Sequence, residues 1–238
     1  MNNFKLLVLF MLMGTSETLR FKEEQLAHPR VLAAYRDANQ ALLPELQRAT
    51  GGKGFDLYVR AFKSEQIVEV WIKTAGKNQY EAFRTYNFCA TSGTLGPKRQ
   101  EGDLQIPEGF YSIRHFNPVS NFYLSLGINY PNRSDQLRGH PVSPGSAIYI
   151  HGGCATIGCI PITDEKIKEL YVIAVEARAR GQQHIPVHIF PMRLNKAADA
   201  ASPHCDFWNE LMPVYHYFQQ QHNLPQITID KNGTYMIK

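Results

Sequence analysis

Within residues 148–163 the chain places His151, Cys154, Thr156 and Cys159 among Gly152, Gly153 and Gly158. A cysteine becomes an effective nucleophile as its thiolate, which a neighbouring histidine or a helix N-terminus favours. Cys159 has both in prospect. His151 precedes it by eight residues, so a returning turn brings the imidazole toward the sulfur. Thr163-Asp164-Glu165 predicts a helix start just downstream, with its positive dipole end nearby. Gly158 leaves the flank of the sulfur open, and the backbone N–H groups of the turn are natural donors to the oxyanion of a tetrahedral intermediate. The chemistry that suits this set is acyl transfer through a thioester, with Cys159 as nucleophile and His151 as base. Thr156 either orients His151 or satisfies the turn.

Two plainer readings compete. Cys159 can be a buried hydrophobe beside a satisfied histidine. Alternatively, His151, Cys154 and Cys159 can ligate zinc, but the spacing narrowly misses the usual pattern and no fourth ligand follows, so no metal and no cofactor is assigned. Cys154 reads as a core or wall residue, and an oxidised Cys154–Cys159 pair would silence the thiol. Cys89 and Cys205 carry no functional role in this reading. Tyr149 points to the opposite strand face from Ile150 and is either core or groove wall. Lys98, Arg99, Arg133 and Arg138 are candidates to hold substrate carboxylates, each against the alternative of a solvated surface charge.

The elements that must position this turn follow from the pattern around it. Ile148-Tyr149-Ile150 alternates as a strand running into His151. Upstream, 55–62, 67–72 and 80–90 show strand-like alternation, as do 110–113 and 122–126. A glycine- and proline-rich loop covers 91–109, and a long polar loop covers 129–146. Val31, Leu32, Tyr35, Ala38, Leu42 and Leu46 fall at helical spacing, which predicts one helix from Pro29 to about Arg48 with a kink at Pro44. After the turn, Asp164–Arg180 predicts a helix ended by Gly181, and 185–190 a strand. Phe207 to Phe218 marks a helix kinked near Pro213, and 227–229 with 234–237 a hairpin around Asn232-Gly233. The class is mainly β with helices at the edges, α+β.

With 238 residues, 44% hydrophobic and 19% charged, the chain can bury one large core. The net charge of +4 is mild and no Lys/Arg block is dense, which excludes a nucleic-acid partner. Lys5, the apolar run Leu6–Met13 and the small residues Gly14 and Ser16 predict a secretory signal over 1–16. No later stretch is long enough to span a membrane. The expected organisation is a helical extension over 17–50, a catalytic domain over 51–200, and a C-terminal helix and hairpin over 201–238.

The turn resembles the signature of the YkuD-type L,D-transpeptidase family: His151-Gly152, then Thr156-Ile157-Gly158-Cys159. Ile157 replaces the second histidine common there, Pro161 stands where arginine is common, and the two halves lie closer together than usual. These features are similar to one branch, which carries His-Gly-x-Cys-x-Ser/Thr-Ile-Gly-Cys. Leu95-Gly96-Pro97-Lys98-Arg99, Pro107-Glu108-Gly109-Phe110-Tyr111-Ser112, Ile128-Asn129-Tyr130-Pro131-Asn132, Phe190-Pro191-Met192-Arg193 and Asp206-Phe207-Trp208 also match that branch. The resemblance implies a YkuD-like β-sandwich carrying the strand-turn-helix site; Gly152 and Tyr149 are further candidates for substrate binding. It further implies a periplasmic enzyme acting on peptidoglycan stem peptides at meso-diaminopimelate. The branch includes an amidase that hydrolyses the diaminopimelate–lysine amide of a wall-bound lipoprotein, and hydrolysis is the expectation here. An L,D-transpeptidase and a non-catalytic peptidoglycan-binding module are the alternatives.

Overall fold

The protein is described by a computed structural model that covers residues 20–196 and 200–238; the expected signal segment 1–16 lies outside the described residues. Helix α1 covers residues 20–26, followed by α2 (Pro29–Ala38) and α3 (Leu42–Thr50). Strands β1 (Phe55–Phe62), β2 (Ile67–Thr74), β3 (Glu81–Asn87), β4 (Gly109–Asn117) and β5 (Ser125–Ile128) come next. A short α4 (Arg133–Arg138) precedes β6 (Tyr149–His151) and β7 (Ile160–Pro161). Helix α5 (Asp164–Ala179), β8 (Ile185–Phe190), α6 (Cys205–Gln221) and the hairpin β9 (Ile227–Ile229) and β10 (Tyr235–Ile237) complete the chain.

Eight strands form one mixed sheet in the order β3-β2-β1-β8-β4-β5-β6-β7, and the class is α+β as the pattern predicts. Both faces of its centre are covered. Leu57, Val59 and Ala61 of β1, with Val187 and Ile189 of β8, face a core shared with α2, α3 and α5. The alternate residues Phe62 and Phe190 face a second core with Trp208, Leu211 and Tyr215 of α6. This two-sided burial is why β1 and β8 read as nearly continuous apolar runs. Helix α5 is likewise buried on every side from Leu170 to Ala177, which leaves no solvent face in that stretch to give a clean amphipathic signal.

The sheet curls until its two ends meet. Cys89, just past β3, donates its N–H to the carbonyl of Pro161 in β7 at 3.0 Å. Beside this contact Cys89 is disulfide-bonded to Cys154, 65 positions further along the sequence. The pairing assigns Cys89 a role that the sequence reading withheld. It also corrects the suggestion of a Cys154–Cys159 bond, since Cys154 is already committed.

Four further expectations change. The helix predicted from Pro29 to Arg48 is two helices, broken at residues 39–41, and α3 closes on Gly51 in the left-handed conformation at φ 59°. The polar loop 129–146 contains α4, started by a reciprocal cap in which Asn132 accepts from the Asp135 N–H and Asp135 from the Asn132 N–H. The strand predicted from Phe122 begins only at Ser125, because Tyr123 turns through φ 69°. Helix α6 runs unbroken through Pro213.

A buried ion pair holds the loop 91–109 against the sheet. Lys63 Nζ donates to Glu108 Oε1 and to the carbonyls of Gly96 and Ile106 at 2.8–2.9 Å, using all three of its protons. Glu108 also accepts from the Gly96 N–H and from Trp208 Nε1 on α6.

The disulfide clamps the curl at the point where the functional turn begins. Cys89→Ser is expected to lower the unfolding free energy of the oxidised protein by about 2–4 kcal/mol. The measurement is a urea midpoint at fixed slope; an unchanged midpoint would show that the ends are held without it.

Candidate active site

Strands β6 and β7 run parallel, with Ile150 opposite Ile160 and His151 opposite Pro161. Ile150 and Ile160 both point into the α5-side core. Side chains alternate along a strand, so Tyr149, His151, Cys159 and Pro161 share the outer face. The neighbouring contact fixes the register: the Tyr149 N–H donates to Cys159 Sγ at 3.4 Å, and the thiol meets the Ala147 carbonyl at 3.7 Å. His151 and Cys159 are therefore brought onto one face of adjacent strands. No hydrogen bond links them in the resting structure, the sulfur's partners being Tyr149 and Ala147.

His151 is buried, and its Nδ1 lies 2.5 Å from the carbonyl of Gly152. A carbonyl only accepts, so Nδ1 carries the proton and Nε2 holds the lone pair. Nε2 is buried and has no partner. Phe122 covers the imidazole, its ring stacked at a centroid distance of 4.4 Å.

The turn between the strands is knotted around Thr156. Its hydroxyl donates to the Cys159 carbonyl at 2.8 Å and accepts the N–H groups of Cys159 at 2.8 Å and Gly158 at 3.2 Å. Thr156 thus satisfies the turn and does not touch His151, which decides between the two readings of its role. Gly158 and Cys159, expected as oxyanion donors, have both N–H groups engaged here. Gly158 adopts φ 136°, and a Cβ there would approach the Gln105 carbonyl to 3.0 Å, so glycine is required on two counts. On the other limb, Gly153 donates its N–H to Asp164 Oδ1 at 2.8 Å, which ties the turn to the first residue of α5. Gly152 is packed so closely that a Cβ would reach Asp164 Oδ1 at 2.4 Å. The N-cap Thr163 holds φ 71°, a strained value for a β-branched residue, and accepts the Lys166 N–H.

Burial sets the protonation of the pair. Desolvation raises the Cys159 thiol above its ordinary value, against the Tyr149 N–H and the positive field of Lys98. Desolvation lowers His151, against the Gly152 carbonyl. Both shifts disfavour charge, so the resting pair is a neutral thiol and a neutral imidazole.

The basic residues expected to bind carboxylates are differently placed. Lys98 is buried and bound to Asp103 at 2.6 Å and to the Gln100 carbonyl. Arg138 is clamped by both oxygens of Glu210 at 2.9 Å and by Thr234 Oγ1, tying α4 to α6 and the hairpin. Both are occupied by the protein itself. Arg99 lies 3.8 Å from Asp135, stacks over Phe207, and keeps one buried guanidinium nitrogen without a hydrogen bond. Burial pushes the Asp135 carboxyl up to about 6. Arg133 is exposed on α4. Phe122 and Asp164, which touch the site directly, were missed by the sequence reading. Cys154 is taken by the disulfide, which removes it from the zinc set weighed above.

The fold thus places a cysteine and a histidine on one face of a parallel strand pair, at a strand-turn-helix junction. A family model described as the L,D-transpeptidase catalytic domain, YkuD, matches residues 57–189. The chain belongs to this family, whose members act on peptidoglycan in the cell envelope. It is 34% identical over 189 residues to YafK of Escherichia coli (strain K12), which carries the name of an L,D-transpeptidase; the match covers 77% of this chain and 74% of YafK. Among solved structures it is similar to the helical cell shape determining protein Pgp2 of Campylobacter jejuni, with TM-score 0.46, 22% identity and 58% of this chain covered. The match spans 49% of the Pgp2 chain, about half its length. It is also similar to Bd1075 of Bdellovibrio bacteriovorus, with TM-score 0.42, 21% identity, and 70% of this chain and 58% of that one covered. Among the described residues no helix is long and apolar enough to cross a membrane.

A neutral resting pair has a kinetic signature. With the thiol raised above its ordinary value, the thiolate fraction grows about tenfold per pH unit, so alkylation of Cys159 by iodoacetamide should climb without a plateau from roughly pH 6 to 9. His151→Ala should leave that slope unchanged. A fast plateau at neutral pH, lost in His151→Ala, would instead reveal a thiolate–imidazolium pair.

Proposed function

We propose that the protein is a cysteine acyl enzyme of the cell wall, with Cys159 as nucleophile and His151 as general base. The observation that carries this reading is the His151 ring: Nδ1–H is pinned to the Gly152 carbonyl and a lone-pair Nε2 is buried without a partner on the face that bears Cys159. A fixed tautomer with an unsatisfied basic nitrogen is what a proton acceptor for a thiol requires.

In the proposed reaction Nε2 takes the thiol proton as sulfur attacks the acyl carbonyl of a diaminopimelate residue in a stem peptide. The S–C bond forms, the amide C–N bond breaks, and His151 returns the proton to the departing amine. Water, deprotonated by His151, then breaks the thioester and restores the thiol. The amide proposed is the one joining diaminopimelate to the lysine of a wall-bound lipoprotein, and the site of action is the periplasm. The close match of His151-Gly152, Cys154 and Thr156-Ile157-Gly158-Cys159 to the branch pattern supports hydrolysis. An amine in place of water makes the same thioester a transpeptidase intermediate. Of the groove residues, Tyr149 and Gly152 flank the reacting atoms in this reading; Arg99 and Arg133 are the proposed contacts to stem-peptide carboxylates, since Lys98 and Arg138 are engaged internally.

The test presents two substrates and follows products by mass: a muropeptide bearing a lysine-linked protein remnant, and free tetrapeptide stems. Release of the remnant is expected, abolished in Cys159→Ala and reduced ~10²–10⁴-fold in His151→Gln. Cross-linked dimers formed with loss of a D-amino acid would make the protein a transpeptidase. Binding without either product would leave a peptidoglycan-binding module.

A further inference from the structure

The outer face of the sheet carries an ordered row of residues that ends at Cys159. His115 of β4 is opposite Gly127 of β5, and Gly127 is opposite Tyr149 of β6. Tyr149 in turn stands beside Cys159, to whose sulfur its N–H donates. The same-face order across β4, β5, β6 and the residue that leads into β7 is therefore His115, Gly127, Tyr149, Cys159.

Only one member of this row lacks a side chain, and the gap is filled. A Cβ on Gly127 would meet Cε1 of Tyr149 at 2.8 Å and Cδ1 at 3.2 Å, with the Cβ of His115 at 3.1 Å. The Tyr149 ring thus lies over the backbone of β5, and its far side meets the His115 ring edge-on at a centroid distance of 6.3 Å. Strand β5 is on the side of β6 opposite to β7. The ring therefore leans away from the sulfur, although its own N–H touches that sulfur. Gly127 has no backbone need for glycine, since its φ is not in the left-handed region. Glycine in a strand interior is disfavoured by entropy and commonly marks a close approach. Here what approaches is the ring.

We propose that Gly127 is a positioning residue for Cys159: it provides the slot that parks the Tyr149 ring, walled on the far side by His115, and so keeps the approach to the sulfur open. The space kept clear is where the atoms flanking the acyl carbon must sit, so the slot also bounds how bulky those atoms can be. The inference rests on Cys159 being the reacting group. Its test uses thiol alkylation, which needs no peptidoglycan, so its failure is distinguishable from failure of the proposed reaction.

The rate of Cys159 alkylation by N-ethylmaleimide is measured in the full chain, read on the Cys159 peptide by mass, in four forms: wild type, Gly127→Ala, Tyr149→Ala and the double substitution. Gly127→Ala is expected to displace the ring toward β7 and slow alkylation by ~10-fold or more, the scale of a ring-sized misplacement at a reacting centre. Tyr149→Ala in the same background should restore the wild-type rate. Rescue of this kind is not expected of general damage to β5. His115→Trp, at an exposed position, crowds the ring from its other side and should slow alkylation as well, which keeps the test open if Gly127→Ala does not fold. Wild-type rates in both Gly127→Ala and His115→Trp, or slowing that persists after Tyr149→Ala, would overturn the proposal.

Discussion

The site depends on an unusually short parallel crossover. Strand β6 ends at His151 and β7 begins at Ile160, so residues 152–159 alone connect two parallel neighbours. Such a connection usually takes about a dozen residues or more and contains a helix. Closing it with so few requires backbone that other residues rarely adopt, supplied by Gly153 at φ 65° and Gly158 at φ 136°. It also requires fastening on every side: Thr156 from within, Asp164 from α5, and Cys154 through the disulfide to Cys89. The tight return is what brings Cys159 beside Tyr149, two residues before Pro161, the partner of His151. A longer loop would lose that register.

The surroundings of the crossover are fixed by buried polar groups rather than by apolar packing alone. The Gln105 carbonyl lies against Gly158, and Gln105 belongs to the loop that the Lys63–Glu108 pair holds to the sheet. A buried ion pair is tolerable only when every donor and acceptor is met, and both partners here come close to that limit. The pair also reaches α6 through Trp208, so the C-terminal helix is coupled to the wall of the site without touching it. Lys98 works from the same loop. Its ammonium is held by Asp103 and a carbonyl, and its field still favours the Cys159 thiolate slightly while burial opposes it more.

The sequence made the centre of this site legible because its signals are local. Alternation ran into His151, an acidic first turn followed Thr163, and Gly152, Gly153 and Gly158 led up to the cysteine. The cap of α4 was also written locally, in Asn132 and Asp135, but a helix of six residues carries too little periodicity to stand out from a polar loop. What stayed hidden was non-local. Cys89 and Cys154 lie 65 residues apart, and nothing short of the sheet's curl brings their strands together. Phe122 looked like the start of a strand, and only the turn at Tyr123 sends its ring over His151. The basic residues show the same limit: Lys98 and Arg138 are internal fasteners because of Asp103 and Glu210, partners that charge counting does not pair.

The hydrogen bonds of the turn constrain how an oxyanion can be met. A threonine hydroxyl has one proton and two lone pairs, and Thr156 uses all three within the turn. Drawing the Gly158 or Cys159 N–H toward a substrate oxygen therefore breaks part of the knot that closes the crossover. The Tyr149 N–H is under no such constraint. It rests on the sulfur, and when sulfur bonds to an acyl carbon in the proposed reaction its lone pair is withdrawn while negative charge grows on the oxygen attached to that carbon. That donor can shift from sulfur to oxygen with the turn intact. Ile157, largely exposed and without an imidazole, offers no second titrating group at this point. In the proposed reaction the acyl step would draw on one base, His151, and one backbone donor already at the sulfur, the Tyr149 N–H.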